Sequence, residues 1–297
     1  RLKDSGGQGL RVRYYRNRIA VEFFHVLTDG TGGFVFLKTL VAEYLRLKYD
    51  AAIPFSDDIL DCDAPPDEAE LEDSFARFSG GETQSRREQK AYYIKGTDEA
   101  GGFIHITTGQ MDLEQLMGLA REKGVTLTEY LTAVLLLSVD AIQRRREPNR
   151  RRYKPVKVSV PINLRRFFPS RTVRNFASYV NVGIDPLLGS YDFDEVLKIA
   201  HHFMAIEVTE KRLLARFTTN VETQKSLILR IMPLFIKNTA MKIAYKQVGD
   251  VLYSTSFSNL GAAKLPEEMA AYVQHLDFIL GPLARNRVCA AMISYEG

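Results

Sequence analysis

Apolar and polar positions change period several times along this chain, and each change marks an element. Residues 21–25 mix β-branched and aromatic side chains with partial alternation, which fits a strand. Residues 11–15 pair with it across a tight turn at Arg16-Asn17-Arg18. From Phe34 the spacing becomes helical. Phe34, Leu37, Leu40, Val41, Tyr44 and Leu45 recur on one face, so a helix of about four turns should run toward Tyr49. Leu113, Leu116, Met117 and Ala120 mark a helix after Asp112, a good cap. Thr128 starts another, apolar nearly all round from Leu131 and therefore expected to be buried. Phe193, Val196, Leu197, Ala200, Phe203 and Met204 trace an amphipathic helix, and residues 227–243 are helical and apolar, interrupted at Pro233. Strand character appears at residues 101–108, 154–162, 176–184, 252–257, 272–280 and 286–295. Pro161 argues that laddering stops near the end of the second of these. Helices interleaved with strands make this an α/β chain.

The most specific chemistry lies where the first strand gives way to the first helix, at Phe24-His25-Val26-Leu27-Thr28-Asp29-Gly30, with Thr31-Gly32-Gly33 following as a glycine-rich turn. An imidazole at a strand end, with a carboxylate four residues on, is a setting for a general base. Gly30 can take turn angles closed to other residues. Asp29 can cap the helix or turn inward to meet an arginine; in either role it fixes the loop rather than attacks. The plainer reading makes His25 a buried strand histidine and Asp29 an ordinary cap. The chain has five histidines, and no other sits so specifically. His201 and His202 are adjacent on a helix and face different directions, a poor metal pair. His105 and His275 lie in strand-like sequence without a nearby partner, which favours structural roles.

The His-x-x-x-Asp-Gly motif of His25, Asp29 and Gly30 resembles that of the CoA-dependent acyltransferase superfamily. That group includes chloramphenicol acetyltransferase, the plant alcohol acyltransferases, the mycobacterial polyketide-associated acyltransferases and the condensation domains of nonribosomal peptide synthetases. Three further segments carry the resemblance. Val158-Ser159-Val160-Pro161-Ile162-Asn163-Leu164-Arg165-Arg166 is similar to the family's strand ending in an arginine. Asn175-Phe176-Ala177-Ser178-Tyr179-Val180-Asn181 is similar to the asparagine-containing strand after it. Ser256-Phe257-Ser258-Asn259-Leu260-Gly261 is similar to its late strand and turn. Within the superfamily the chain looks most like bacterial alcohol acetyltransferases. Condensation domains usually carry two histidines, and Phe24 stands at the first; no tryptophan is present for the plant group's late motif.

The resemblance implies an α/β, chloramphenicol acetyltransferase-like two-lobe fold with mixed sheets flanked by helices. Residues 1–56 would end the first lobe, residues 57–100 would form an acidic crossover linker, and residues 101–297 the second lobe. Full family members are longer than these 297 residues, so the fold is expected to be incomplete at both ends. The implied activity is O-acyl transfer from acyl-CoA, acetyl-CoA foremost, to an alcohol, in a tunnel between the lobes. His25 would be the base. Asp29 would point away from the substrates and pair with Arg165, or failing that Arg166. Ser256 or Ser258 would supply the oxyanion hydrogen bond, with Asn259 shaping the turn. Tyr179 and Asn181 alternate with their neighbours on a strand and could line the tunnel. The partners are acyl-CoA and a small alcohol; no cofactor is permanently bound. Two alternatives stand beside this one: a condensation-like enzyme that uses a carrier-protein thioester or forms an amide, and a catalytically idle binding module.

Composition changes the picture little. A net charge of +4 tolerates an anionic ligand such as CoA but does not call for nucleic acid. Arg144-Arg145-Arg146 and Arg150-Arg151-Arg152 could hold phosphates or form a solvated loop, and no glycine-rich cradle accompanies them. The acidic run of residues 57–73, broken by Pro65-Pro66, reads as a solvated linker. Cys62 and Cys289 have no metal or redox spacing. Residues 131–137 are strongly apolar but far too short to span a bilayer. No signal peptide is visible, which fits a cytoplasmic protein. The oligomeric state is left open.

Overall fold

The computed structural model describes residues 8–84, 88–97, 103–227, 231–281 and 285–296. They form two compact units. One gathers the described residues of Arg1–Ser79, Asn163–Ser178 and Ala262–Asp277; the other gathers those of Gly80–Ile162, Tyr179–Gly261 and Phe278–Gly297.

In the first unit, strands β1 (Leu10–Tyr15) and β2 (Arg18–Phe23) form an antiparallel hairpin with Leu10 opposite Phe23 and Tyr15 opposite Arg18. Arg16 takes a left-handed φ of 53°, so a two-residue link reverses the chain. The strand ends at Phe23, earlier than expected. Residues 25–27 form a turn, in which Leu27 N donates to Phe24 O at 2.9 Å, and Phe24 N donates to Gly9 O at 2.7 Å. His25 is therefore a turn residue and exposed, not a buried strand histidine. Helix α1 (Gly30–Tyr49) starts at Gly30. The expected glycine turn is thus the helix's first turn, and Gly30 is not among the described glycines with positive φ.

The buried face of α1 differs from the expected one. Gly32, Gly33, Val35, Lys38, Thr39, Ala42 and Leu45 are buried, whereas Tyr44 is exposed. Small residues allow close approach there, and two polar ones fasten neighbouring chain. Lys38 Nζ meets Asp58 Oδ2 at 2.6 Å, and Leu60 N donates to Thr39 Oγ1 at 3.0 Å. Ala42 and Leu45 form a small core with Ile53, Ile59 and Met269, the last from a short helix at Glu267–Ala270. Most carboxylates of residues 57–73 are exposed, but Ile59, Lys38 and Arg171 tie the segment down; Arg171 pairs with Asp57 and Asp67 at 3.1 and 2.9 Å. Helix α2 (Ser74–Phe78) presents Phe75 and Phe78 to Phe176, at ring distances of 5.1 and 6.0 Å, and Phe78 also meets Phe168 at 5.5 Å. These rings anchor residues 163–178.

In the second unit, helices α3 (Leu113–Glu122) and α4 (Leu127–Arg146) precede strands β3 (Val156–Asn163) and β4 (Ala177–Ile184). Helices α5 (Phe193–Glu207), α6 (Glu210–Lys225) and α7 (Leu234–Val248) follow, then strands β5 (Thr255–Ala262) and β6 (Cys289–Ser294). The sheet order is β4-β3-β5-β6, with β3 parallel to β5 and Ser159 opposite Ser256. It is a mixed sheet flanked by helices. Val156, Val158 and Val160 of β3, with Val180, Val182 and Ile184 of β4, pack against Ala133, Leu136 and Val139 of α4 and Val196, Leu197, Ala200 and Met204 of α5. A capping box starts α4 at Thr126, two residues before the expected start.

Three strand expectations change. β3 runs through Pro161 to Asn163. Residues 103–108 form no strand; Phe103, Ile104 and Ile106 are exposed, and β-prone residues need a ladder partner to become a strand. Residues 273–280 form none either, and Tyr272 N closes a turn onto Met269 O at 3.1 Å. Residues 101–102 and 228–230 of the expected elements lie outside the described residues. Among the described residues no single helix is long and apolar enough to cross a membrane.

Candidate active site

Asp29 is the N-cap of α1, and its Oδ1 accepts from Gly32 N at 3.0 Å. Its Oδ2 accepts from Arg165 Nη1 and from Phe176 N, both at 2.7 Å. Capping the helix and turning inward, alternatives in the sequence, occur together. The carboxylate is buried, with a side-chain exposure of 5% against 12% for Arg165. Burying such a pair is tolerable only when the remaining donors and acceptors are matched, and here they are. Arg165 Nε and Nη2 donate to Thr172 O at 3.1 and 2.8 Å. Nη2 also donates to Arg174 O at 2.7 Å, and Nη1 to Asn163 Oδ1 at 3.3 Å. Arg166 is exposed; Arg165 is the arginine that meets Asp29.

The segment after Arg165 is clamped against α1. Thr28 Oγ1 donates to Val173 O at 2.5 Å. A Cβ at Gly32 would overlap Val173 O and Thr28 Oγ1, and one at Gly33 would overlap the Phe23 ring. These glycines are needed for close approach, not for unusual angles. Asn163 Nδ2 reaches Thr31 Oγ1 at 3.1 Å. The clamped segment brings Asn175 to His25: Asn175 Nδ2 donates to His25 O at 3.1 Å and lies 3.5 Å from Nδ1 of the ring.

His25, Asp29, Gly30 and Arg165 therefore share the first unit, within one hydrogen-bonded cluster around the start of α1. The other candidates belong to the second unit. Ser256 and Ser258 are half-buried on one face of β5, while Thr255 and Phe257 are buried on the other. Asn259 Nδ2 donates to Thr128 Oγ1 at 3.1 Å, and its Oδ1 accepts from Gly261 N at 2.9 Å, where Gly261 has φ 83°. Tyr179 is half-exposed and its carbonyl accepts from Arg216 Nη1 at 2.5 Å. Asn181 is buried, and its Nδ2 donates to Glu88 Oε2 at 3.0 Å.

The arginine-rich loop is largely occupied with backbone. Arg144 meets Asp140 Oδ2 and Gly189 O, each at 2.7 Å; Arg146 donates to Lys95 O at 2.5 Å and Arg150 to Leu187 O at 3.1 Å. His275, read in the sequence as lacking a partner, pairs with Asp277 at 2.9 Å, two residues on where both side chains can share one side. Sequence reasoning quoted Thr28, Asn163 and Asn175 within the segments that carry the resemblance but gave them no role, and did not name Thr172. Thr28 and Asn163 flank motif residues and are hydrogen-bonding types, a faint signal. Asn175 meets His25 across 150 positions, for which periodicity carries no signal.

The alcohol acetyltransferase family profile matches residues 68–296, a stretch that starts beyond the His25 motif. No curated protein matches the chain in sequence. A trichothecene 15-O-acetyltransferase from Fusarium sporotrichioides is 10% identical with a TM-score of 0.53, covering 94% of this chain and 59% of that one. The F. sporotrichioides protein TRI101, solved with coenzyme A and T-2, is 10% identical with a TM-score of 0.43, covering 84% and 54%. The first condensation domain of the CDA synthetase is 15% identical with a TM-score of 0.39, covering 82% and 47%. The chain spans about half the length of these solved structures. At such identity the likeness to the 15-O-acetyltransferase concerns the fold alone, a mixed sheet flanked by helices shared with that protein. With the family profile spanning well over half of its residues, the chain belongs to the alcohol acetyltransferase family.

Proposed function

We propose that this chain acts as an O-acyltransferase, with His25 as its base, that moves an acyl group, acetyl first, from acyl-CoA to the hydroxyl of a small alcohol. One observation carries the reading. Four residues after an exposed imidazole, the Asp29 carboxylate is engaged by Gly32 N, Phe176 N and Arg165. A carboxylate so fully bonded is a fastener, and what it holds still is the turn that bears His25. Family membership supports the reaction class.

An alcohol is a poor nucleophile because its pKa lies far above neutral. His25 removes the hydroxyl proton as the C–O bond forms. The oxygen adds to the thioester carbonyl and leaves a tetrahedral oxyanion, to which Ser256 or Ser258 donates. Both ends of the Asn259 amide are already bonded, which supports a serine as donor and leaves Asn259 to shape the turn. The intermediate collapses as the C–S bond breaks. The imidazolium returns its proton to the departing CoA thiolate, and ester and free CoA are released with His25 neutral again. Tyr179 and Asn181 are read as substrate-lining residues of the second unit. No acyl-enzyme and no permanently bound cofactor enter the cycle. A cytoplasmic location suits acyl-CoA as donor.

The test is an acyl-CoA and alcohol screen on the whole protein, read by thiol release. His25→Ala is expected to keep the fold and lower turnover by roughly 10²–10⁴-fold, the range for general-base catalysis. Rates within about threefold of wild type, far inside that range, would sink the assignment.

A further inference from the structure

We propose that Asn175 is a positioning residue for His25, an inference that rests on the reading of His25 as the base. The two meet only through tertiary structure. Asn175 Nδ2 lies 3.1 Å from the His25 carbonyl oxygen and 3.5 Å from ring Nδ1. The amide's orientation follows from chemistry. With oxygen and nitrogen exchanged, two acceptors would face each other at hydrogen-bond distance, so the donor faces the carbonyl. His25 O belongs to an exposed turn rather than a ladder, and this bond fixes the peptide from which the imidazole hangs. Asn175 also borders the Nδ1 side of the ring, which leaves Nε2 as the nitrogen turned to the hydroxyl.

The placement of Asn175 is itself enforced. Phe176 N donates to Asp29, Arg165 holds the carbonyls of Thr172 and Arg174, and Thr28 holds that of Val173. Bonds thus grip the chain on both sides of Asn175. Its Oδ1, meanwhile, is buried with no hydrogen-bond partner among the described residues. The ion pair of Asp29 and Arg165 then acts at two removes. It sets the segment, the segment sets Asn175, and Asn175 sets the turn of the base.

The test uses the whole protein and the variants Asn175→Ala, Asn175→Asp, His25→Ala and the double variant His25→Ala/Asn175→Ala. Asn175→Ala should lower kcat by roughly 10- to 100-fold, since a small misplacement of a reacting group costs up to about 10²-fold, with KM for both substrates little changed. Adding it to His25→Ala should lower the rate no further, because it acts through the imidazole. Asn175→Asp sets a carboxylate beside the ring and favours the imidazolium, so the acid limb of the kcat–pH profile should move to higher pH. The charged groups on the segments that hold Asn175 and His25, Asp29, Arg165 and Arg174, are the same in every variant, so that shift reports the new carboxylate. Wild-type kcat in Asn175→Ala, losses that multiply in the double variant, or an unmoved acid limb in Asn175→Asp would each overturn the proposal. Full activity of His25→Ala would instead overturn the base assignment, a result distinct from all three.

Discussion

At Asp29 three donors converge on one carboxylate, and two come from residues 136 and 147 positions away. Removing the carboxylate strands the Arg165 charge in a largely buried site; removing the guanidinium strands Asp29 and releases three backbone carbonyl bonds. Asp29→Ala and Arg165→Ala should each cost about 3–5 kcal/mol of unfolding free energy, measured by denaturant titration. The double variant should lose less than the sum, because the second change removes a charge already uncompensated. Additive losses would mean that the two side chains act independently. The pairing was legible through the family resemblance, which named both residues. The third donor, Phe176 N, and the clamp on Thr172 and Arg174 were not, since backbone groups carry no sequence signature.

At the scale of elements, α1 shows where periodicity runs out. By spacing, the row Phe34, Leu37, Leu40, Val41, Tyr44 and Leu45 is the core face, but of these only Leu45 is buried, and the other buried residues are Gly32, Gly33, Val35, Lys38, Thr39 and Ala42. Apolar count favours the first face; close approach by Val173 O and the Phe23 ring favours the second. This gives a pair of predictions of opposite sign for one substitution type. Gly118, inside α3, has open space within 4 Å of where a Cβ would stand, so Gly118→Ala should stabilise by about 0.5–1 kcal/mol through helix propensity. Gly32→Ala gains the same propensity but should destabilise on balance, by about 1–3 kcal/mol, because the methyl overlaps a carbonyl already held by Thr28. Thermal unfolding of the two variants checks both signs.

At the scale of the whole molecule, each compact unit is assembled from separated stretches, and residues 163–178 pack with the N-terminal motif. The clusters of charge behave likewise. Arg144, Arg146 and Arg150 bond carbonyls of Gly189, Lys95 and Leu187, so they tie loops of the second unit together. Replacing these three by Gln should lower stability, whereas replacing the exposed Arg145, Arg151 and Arg152 by Gln should leave the KM for acyl-CoA within about twofold, as expected of screened surface charges. A rise in that KM which shrinks at high salt would return the loop to phosphate binding.

The sequence by itself marked helices α1, α3, α4, α5 and α7 and the regions of strands β1 to β6, because side-chain period is local and survives without a partner; it did not mark α6. It also marked His25, Asp29 and Arg165 through the motif resemblance. Tertiary structure alone decided which face of α1 is buried, that residues 103–108 and 273–280 form no strand, and that His25 sits in a turn beside Asn175. Those outcomes depend on groups brought together from distant positions. Strands need ladder partners, helix faces follow whatever can approach closest, and a single side-chain amide reaches a histidine only after its chain has been clamped on both sides.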